Sequence, residues 1–178
     1  MRICIISDVH GELDNVKLLI DKLRRENIDM VIYLGDDYGD VDLIEREGFK
    51  LIRVPGVYEE IYKKPEIPNR RIENIEGWRI LLTHTETKHQ NDLPADPDPQ
   101  ELLSKGEIDI LLHGHTHIPK VEVRGRQLIV NPGHLKKSDK KGYPATYAIM
   151  DITSESIRIE IKELFTDRKL IELVLSKF

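Results

Sequence analysis

The chain has almost no cysteine, with Cys4 as its single example, and it has no long hydrophobic run. A lone cysteine cannot form an internal disulfide, and its position among Ile3, Ile5 and Ile6 is typical of a buried strand. No apolar stretch approaches the ~20 residues that a membrane-spanning helix needs, and the chain does not open with a charged-then-apolar leader. We therefore expect a cytoplasmic protein that is not inserted in a membrane.

Excess positive charge is also lacking, because the formal net charge is -5 at pH 7. This balance argues against broad binding to nucleic acid or to anionic membranes. The basic cluster Lys136, Lys137, Lys140 and Lys141 could attract phosphate, although such runs are usually solvated loops. With 178 residues, 39% of them hydrophobic, the sequence predicts a single domain over residues 1–178.

Strands and helices alternate in the first third of the sequence. Continuous apolar runs predict buried strands at residues 2–7, 30–34 and 51–54. Helical spacing of apolar residues predicts a helix at residues 13–23, and a short helix is expected at 42–47. This alternation is typical of parallel strands covered by helices, and it places the loop after each strand at one edge of the sheet, where ligands usually bind.

The second half is rich in strands. Residues 71–75 and 78–83 are expected to pair through a tight turn, and residues 85–97 to form a surface loop. The aspartate-proline pair at 98–99 marks the start of a short helix. Further strands are predicted at residues 108–112, 121–123, 128–130 and 157–161.

Aspartate and histidine residues follow several of these strands at the points where they end. Asp8 and His10 come after the first strand, where an extended backbone would direct both side chains the same way. Asp36 follows the second strand, and its two carboxylate oxygens could bridge two ions. Mixed imidazole and carboxylate ligands suit Mn, Fe, Zn, Co or Ni better than Ca or Mg. The remaining members of this set are His84, His115 and His117.

In chain order, these residues resemble the metal-binding motifs of the calcineurin-like metallophosphoesterases. The motifs are Asp8-Val9-His10, Gly35-Asp36, His84 and Gly114-His115-Thr116-His117, followed by the turn Asn131-Pro132-Gly133. The sequence looks most like the small, single-domain phosphodiesterase branch, because four motif blocks occur in the same order. The resemblance implies a four-layer α/β/β/α sandwich, with two facing mixed sheets and helices outside.

The resemblance also implies two divalent transition-metal ions, with manganese as the first expectation. One ion would be held by Asp8, His10, Asp36 and His117. The other would be held by Asp36, His84 and His115. A water shared between the ions would be deprotonated and would attack phosphorus in line with the departing oxygen.

The sequence departs from the family pattern at Val57 and Tyr58. Val57 stands where the family has an asparagine ligand, so the second ion lacks one protein oxygen, which water, a substrate phosphate, Glu59 or His134 could replace. Tyr58 stands where many relatives have a histidine near the leaving group, and it is either a proton donor or an ordinary pocket wall. The predicted catalytic residues are Asp36, His84 and Tyr58.

Three further polar residues lie close to the motifs. His113 precedes Gly114 inside an apolar run and is expected to be a packing residue. His89 is expected to be solvated, with a place in a flexible lid as the alternative. Asp37 is either a hydrogen-bond acceptor beside the site or an exposed acid.

We expect the chain to hydrolyse a phosphodiester, and less readily a phosphomonoester, in a small-molecule substrate; a homo-oligomer is left open. The alternative is a protein-binding scaffold that has kept the fold, as in the retromer subunit that resembles this family. The missing asparagine at Val57 favours the scaffold, whereas the retention of six other ligand residues favours the enzyme.

Overall fold

Eleven strands and three α-helices are present in residues 1–177, the part of the chain that the computed structural model describes. The strands are β1 (Arg2–Ile6), β2 (Met30–Tyr33), β3 (Leu51–Arg53), β4 (Arg70–Ile75), β5 (Trp78–Thr83), β6 (Ile110–Leu112), β7 (Lys120–Arg124), β8 (Gln127–Asn131), β9 (Thr146–Ile152), β10 (Ser156–Glu163) and β11 (Lys169–Ser176). The helices are α1 (Leu13–Leu23), α2 (Asp42–Arg46) and α3 (Pro99–Ser104), and Glu60–Lys63 forms a 3-10 turn.

The strands form two mixed sheets, as predicted. The first has six strands in the order β11-β10-β9-β1-β2-β3, with β1, β2 and β3 parallel to one another. The second has five strands in the order β4-β5-β6-β8-β7, with β5, β6 and β8 parallel. All strands and helices predicted from the sequence are found within a few residues of the expected bounds, and β9 and β11 are two strands that were not predicted.

The core between the two sheets is continuous. Ile3 and Ile5 of β1 pack in the same cluster as Ile80 and Leu82 of β5, so the sheets face each other. On the outer face of the first sheet, Cys4 and Ile6 pack against α1, which turns an apolar stripe inward: Val16, Leu19, Ile20 and Leu23. The four apolar side chains of this stripe each contribute ~1.5–3 kcal/mol by burial.

The outer face of the second sheet is covered by α3. Leu81, Leu111 and Ile129 pack there against Leu102 and Leu103 of the helix. The sequence explains where this helix starts. The Asp98 side chain accepts hydrogen bonds from the backbone N–H groups of residues 100 and 101, and a proline occupies the first position of the helix. These contacts confirm the predicted four-layer α/β/β/α sandwich. Within residues 1–177, no helix has the length and hydropathy needed to cross a membrane.

Candidate metal centre

The loops that follow four strands meet at one edge of the sandwich. In the first sheet, the loops after β1 and β2 are joined by the Asp8 N–H, which donates to the Gly35 carbonyl at 2.8 Å. In the second sheet, the Gly114 N–H donates to the His84 carbonyl at 3.0 Å and joins the loops after β5 and β6. The His115 N–H then links the two sheets by donating to Asp8 Oδ2 at 2.9 Å.

The first cluster at this edge consists of Asp8, His10, Asp36 and His117, each with one potential ligand atom within 4.8 Å of the others. Nε2 of His10 lies 3.4 Å from Asp36 Oδ2 and 3.1 Å from His117 Nε2. Nε2 of His117 lies 3.2 Å from Asp8 Oδ1. Two carboxylates and two imidazoles at this spacing form a donor set that suits a transition-metal ion.

The second cluster lies on the other side of Asp36. Nε2 of His84 is 3.6 Å from Asp36 Oδ1 and 3.2 Å from Nδ1 of His115. The two oxygens of Asp36 therefore face different clusters, Oδ2 the first and Oδ1 the second. The structure thus brings together all six residues predicted as ligands, in two groups that share one carboxylate.

In His84 and His117, a hydrogen bond at one ring nitrogen determines that the other nitrogen carries a lone pair toward the cluster. Nδ1 of His84 lies 2.7 Å from the Leu34 carbonyl oxygen, which can only accept, so Nδ1 carries the proton. Nδ1 of His117 likewise lies 2.7 Å from Asp139 Oδ2. Such carboxylate and carbonyl partners are typical of histidines that bind metal through the other nitrogen.

Asp8 supplies the strongest test of whether a cation fits. Its carboxylate is completely buried, and Oδ2 is satisfied by the Ser7 hydroxyl and the His115 N–H. Oδ1 has no hydrogen-bond partner within residues 1–177 and instead faces Nε2 of His117, which holds a lone pair when Nδ1 donates to Asp139. A buried carboxylate oxygen without a partner costs free energy, and a cation between these atoms would remove that cost.

The pKa values of the same residues indicate that the cluster favours positive charge. The Asp8 carboxylate raises the pKa of His117 against the opposing effect of burial, and Asp139 adds to the increase. Burial alone would raise the pKa of Asp8, but the neighbouring His117, His84 and Ser7 hold it below its ordinary value. Both shifts favour positive charge beside the Asp8 carboxylate.

The backbone at the cluster differs from the sequence-based expectation. The prediction of an extended backbone at Asp8 and His10 is wrong, because both residues are left-handed, with φ of 55° and 52°. Asp36, His115 and His117 are also left-handed, with φ of 64°, 67° and 60°. A tight turn after each strand, rather than period-two alternation, directs these side chains to one point.

Two glycines allow the loops to approach this closely. A Cβ on Gly114 would collide with the Ser7 hydroxyl and would lie 2.7 Å from Asp8 Oδ2. A Cβ on Gly56 would collide with Asp36 Oδ1 and would lie 2.8 Å from the Asp36 backbone nitrogen. The backbone therefore passes against both carboxylates where no other residue would fit.

Tyr58 and His89 form the rim beside the second cluster. Tyr58 is 66% exposed, and its ring centroid lies 6.0 Å from that of His115 and 5.5 Å from that of His89. Val57 is buried, and its carbonyl accepts a hydrogen bond from Nδ2 of Asn91 at 2.8 Å. The segment that departs from the family pattern is therefore in contact with the loop that follows His84.

Two of the residues that could replace the missing asparagine oxygen are occupied elsewhere. Both carboxylate oxygens of Glu59 accept backbone hydrogen bonds, from the N–H groups of Gly56 and Tyr38. Nδ1 of His134 accepts from the Lys136 N–H, and its Nε2 lies 3.1 Å from the Tyr143 carbonyl. Water and substrate phosphate remain as candidates.

The other polar residues singled out in the sequence take different places. His113 is buried, and burial lowers its pKa to about 4, in agreement with a neutral packing residue. Asp37 has a side chain that is 55% exposed, with Oδ2 3.8 Å from Nδ1 of His10. Lys141 donates to the Thr116 carbonyl at 2.7 Å, whereas Lys137 is exposed.

Asp139 is a site residue that the sequence analysis missed. It lies in the lysine-rich segment, 22 residues after His117, and no motif marks it. Its side chain is only 6% exposed, its Oδ2 contacts His117 and its Oδ1 accepts from the Lys141 N–H at 3.0 Å. The lysine-rich segment therefore contributes a carboxylate that contacts a proposed ligand, in addition to its lysines.

Comparison with known proteins agrees with this geometry. Residues 1–155 match the sequence profile of the calcineurin-like phosphoesterase superfamily domain. The chain is 26% identical over 171 residues to phosphodiesterase YfcE of Escherichia coli strain K12, covering 85% of this chain and 88% of that protein. It is 26% identical over 147 residues to phosphodiesterase MJ0936 of Methanocaldococcus jannaschii, covering 75% of this chain and 83% of that protein.

Solved structures share the architecture. The structure of the E. coli phosphoesterase Yfce has a TM-score of 0.68 at 24% identity, covering 97% of this chain and 98% of that one. Chaetomium thermophilum Vps29 has a TM-score of 0.74 at 18% identity, covering 100% of both chains. At these identities, the structural likeness establishes the fold alone.

Proposed function

We propose that this chain, which belongs to the calcineurin-like phosphoesterase superfamily, is a metal-dependent hydrolase that prefers phosphodiesters. The observation that carries the proposal is the position of Asp36, whose two oxygens face two separate groups of ligand atoms. A carboxylate with one oxygen toward each group could bridge a pair of ions. The substrate would be a small-molecule phosphoester.

The proposed ligands are the six residues of the two clusters. Asp8, His10, Asp36 and His117 would hold one ion, and Asp36, His84 and His115 the other. Manganese is the first candidate, with Fe, Zn, Co and Ni as alternatives that accept the same donors. When bound, the ions would supply a water of lowered pKa and positive charge for the phosphoryl oxygens.

The chain's own residues hold the ligand atoms in place, and its single thiol is unsuited to act as a nucleophile. The Ser7 hydroxyl and the His115 N–H fix the Asp8 carboxylate, and the Leu34 carbonyl fixes the His84 ring. Cys4 is buried in β1, and burial raises the pKa of its thiol, which makes it a poor nucleophile. We therefore propose that a water molecule, not a side chain, attacks phosphorus.

The proposed preference for diesters rests on Tyr58, which occupies the rim where many relatives have a histidine. A monoester carries two charges and often a poor leaving group, so it gains more from a cationic acid than a diester does. With manganese present, kcat/KM for bis-p-nitrophenyl phosphate should exceed that for p-nitrophenyl phosphate. Faster turnover of the monoester under the same conditions would refute the preference, and Tyr58→His should narrow the difference.

A protein-binding scaffold is the second candidate, and the observation that favours it is Val57. This side chain is 1% exposed and has no oxygen to offer, so the second ion depends on fewer protein ligands. We expect Val57→Asn, a change of similar volume, to tighten the second ion in a calorimetric titration and to raise activity at low metal concentration. Tighter metal binding with no hydrolysis at saturating metal would favour the scaffold.

We also propose that residues 1–178 form a single domain and that the protein acts in the cytoplasm. The continuous core between the two sheets supports the single domain. The free, buried thiol of Cys4, which needs no oxidising compartment, supports the proposed location.

A further inference from the structure

The loop that follows β5 is tied to the core by a buried arginine. The guanidinium of Arg70 donates to Asp92 Oδ2 at 2.8 Å and to the Pro97 carbonyl at 2.9 Å, two points near the end of the loop. It also contacts the Thr85 hydroxyl and the Thr87 carbonyl, both at 3.4 Å, near its beginning. Residues 85–97 therefore form a segment that is anchored to the core at several points.

The ion pair at the centre of this anchor is almost free of solvent. The side chains of Arg70 and Asp92 are 0% and 2% exposed. Burying two charges costs free energy that their attraction repays only with good geometry and extra hydrogen bonds. Asp92 receives those extra bonds from the Tyr62 hydroxyl at 2.7 Å and the His89 N–H at 2.8 Å.

The residue that this anchor positions most directly is His89. Its backbone N–H is held by Asp92, and its Nδ1 accepts a hydrogen bond from the Asn91 N–H at 3.2 Å. Because Nδ1 accepts, the neutral ring carries its proton on Nε2. Nε2 makes no hydrogen bond within residues 1–177, so this donor is available to a ligand.

The ring of His89 stands next to the second cluster. Its centroid lies 6.1 Å from that of His115, and the exposed ring of Tyr58 packs edge-on against it at 5.5 Å. Asn91 also donates to the Val57 carbonyl, which fixes the spacing between the loop and the segment that lacks the asparagine oxygen. An N–H donor is thus held at the rim, beside a residue proposed to bind metal.

We propose that His89 binds the substrate directly, with Nε2–H donating a hydrogen bond to a phosphoryl oxygen. This inference rests on the proposed function, since it assumes that a phosphoester occupies the centre. In this role the Nε2–H bond stays intact, because loss of the proton from a neutral ring would leave an imidazolate. His89 therefore acts as a hydrogen-bond donor and not as a general acid. The hydrogen bond that it donates becomes stronger as negative charge develops on the phosphoryl oxygen.

The test compares His89→Ala with His89→Gln, which keeps a side-chain N–H donor, and with Gln90→Ala, an exposed neighbour in the same loop, as the control. Three quantities are measured on the manganese-loaded proteins: metal content, affinity for inorganic phosphate by calorimetry, and kcat/KM for a diester as a function of pH. A hydrogen bond to a charged group predicts that His89→Ala weakens phosphate binding about 10- to 100-fold.

The remaining expectations separate this role from a structural one. Metal content should be unchanged in every variant, His89→Gln should recover most of the phosphate affinity, and the pH profile of His89→Ala should keep the wild-type limbs. The inference is overturned if His89→Ala binds phosphate within twofold of the wild type. It is also overturned if both substitutions lose affinity equally, because the effect would then come from packing. A wild-type protein that takes up no metal would refute the proposed function itself.

Discussion

Left-handed backbone is concentrated at the residues proposed to bind metal. Five of the six, Asp8, His10, Asp36, His115 and His117, have φ between 52° and 67°. A non-glycine residue in this conformation costs roughly 1–2 kcal/mol, although aspartate and histidine adopt it more readily than most residues. The cost is tolerated at this edge because each turn aims a side chain at the same point, as at other functional sites.

At the same scale, Asp139 is expected to act through His117 as a positioning residue. Asp139→Ala should weaken binding at the first cluster by about 10- to 100-fold, because the His117 ring loses the partner that fixes its orientation and tautomer. Asp139→Asn should lose less metal affinity than Asp139→Ala, since its amide oxygen can still accept a hydrogen bond from Nδ1 of His117. Isothermal titration with manganese measures both.

Lys137→Ala is the matched control for Asp139, because Lys137 is an exposed residue of the same segment. It should leave the metal affinity unchanged. If Asp139 were merely structural, both substitutions at Asp139 would lower the melting temperature of the metal-free protein, and the metal affinity would not differ between Asp139→Asn and Asp139→Ala. That pattern would contradict the positioning role.

The two kinds of residue at the centre differ in how well a sequence can reveal them. The six proposed ligands lie in loops that follow predicted strands. The strand pattern places the loops after β1 and β2 at one edge of a sheet, and the family resemblance brings the ligands of the second half to the same site. Asp139 lies farther from a strand end and sits among lysines, where a local pattern indicates only a solvated loop. Its place depends on how the chain returns to the site after β8, which is a tertiary property.

At the scale of elements, apolar periodicity predicts most strands because each buries a continuous or alternating face. It missed β9, which is nevertheless paired on both sides, with β1 and β10. It also missed the anchoring of residues 85–97, because Arg70 lies outside the predicted strand 71–75 and no local pattern indicates that the loop folds over its side chain and buries it.

The buried pair that anchors this loop predicts a pH-dependent contribution to stability. Burial acts to raise the pKa of Asp92, but hydrogen bonds from His89, Tyr62 and Arg70 hold it below its ordinary value. The folded protein thus favours ionised Asp92, and the stabilisation is fully present above the unfolded pKa of about 3.9 and is lost as pH falls through the lower folded value.

Asp92→Asn tests this contribution. At pH 7 it should reduce the free energy of unfolding by about 3–5 kcal/mol, because it leaves the Arg70 charge buried without its partner. Urea denaturation should show the difference from wild type shrinking progressively below about pH 4. Asp167→Asn, at an ion pair with a 59% exposed carboxylate, is the control and should cost at most about 1 kcal/mol. A difference for Asp92→Asn that is constant with pH would refute this assignment.

At the scale of the whole molecule, the proposed metal centre joins the two sheets. Asp8, His10 and Asp36 follow strands of the first sheet, and the remaining three ligands follow strands of the second. An ion bound across this edge would stabilise the folded state over the unfolded chain, and the melting temperature should therefore rise with manganese concentration. The same arrangement makes Asp36 the residue whose loss affects both clusters.

The most direct test of a dinuclear centre is the number of ions bound per chain, measured by elemental analysis after equilibration with manganese and removal of the free metal. We expect a value approaching two for the wild type. Asparagine suits the left-handed backbone at residue 36 but lacks the bridging charge, so Asp36→Asn should lower the occupancy of both metal sites and the rate of diester hydrolysis. Asp21→Asn, on the exposed face of α1, is the control and should change neither quantity. Occupancy at background level in the wild type with Mn, Fe, Zn, Co and Ni alike, or full occupancy and activity in Asp36→Asn, would contradict the account.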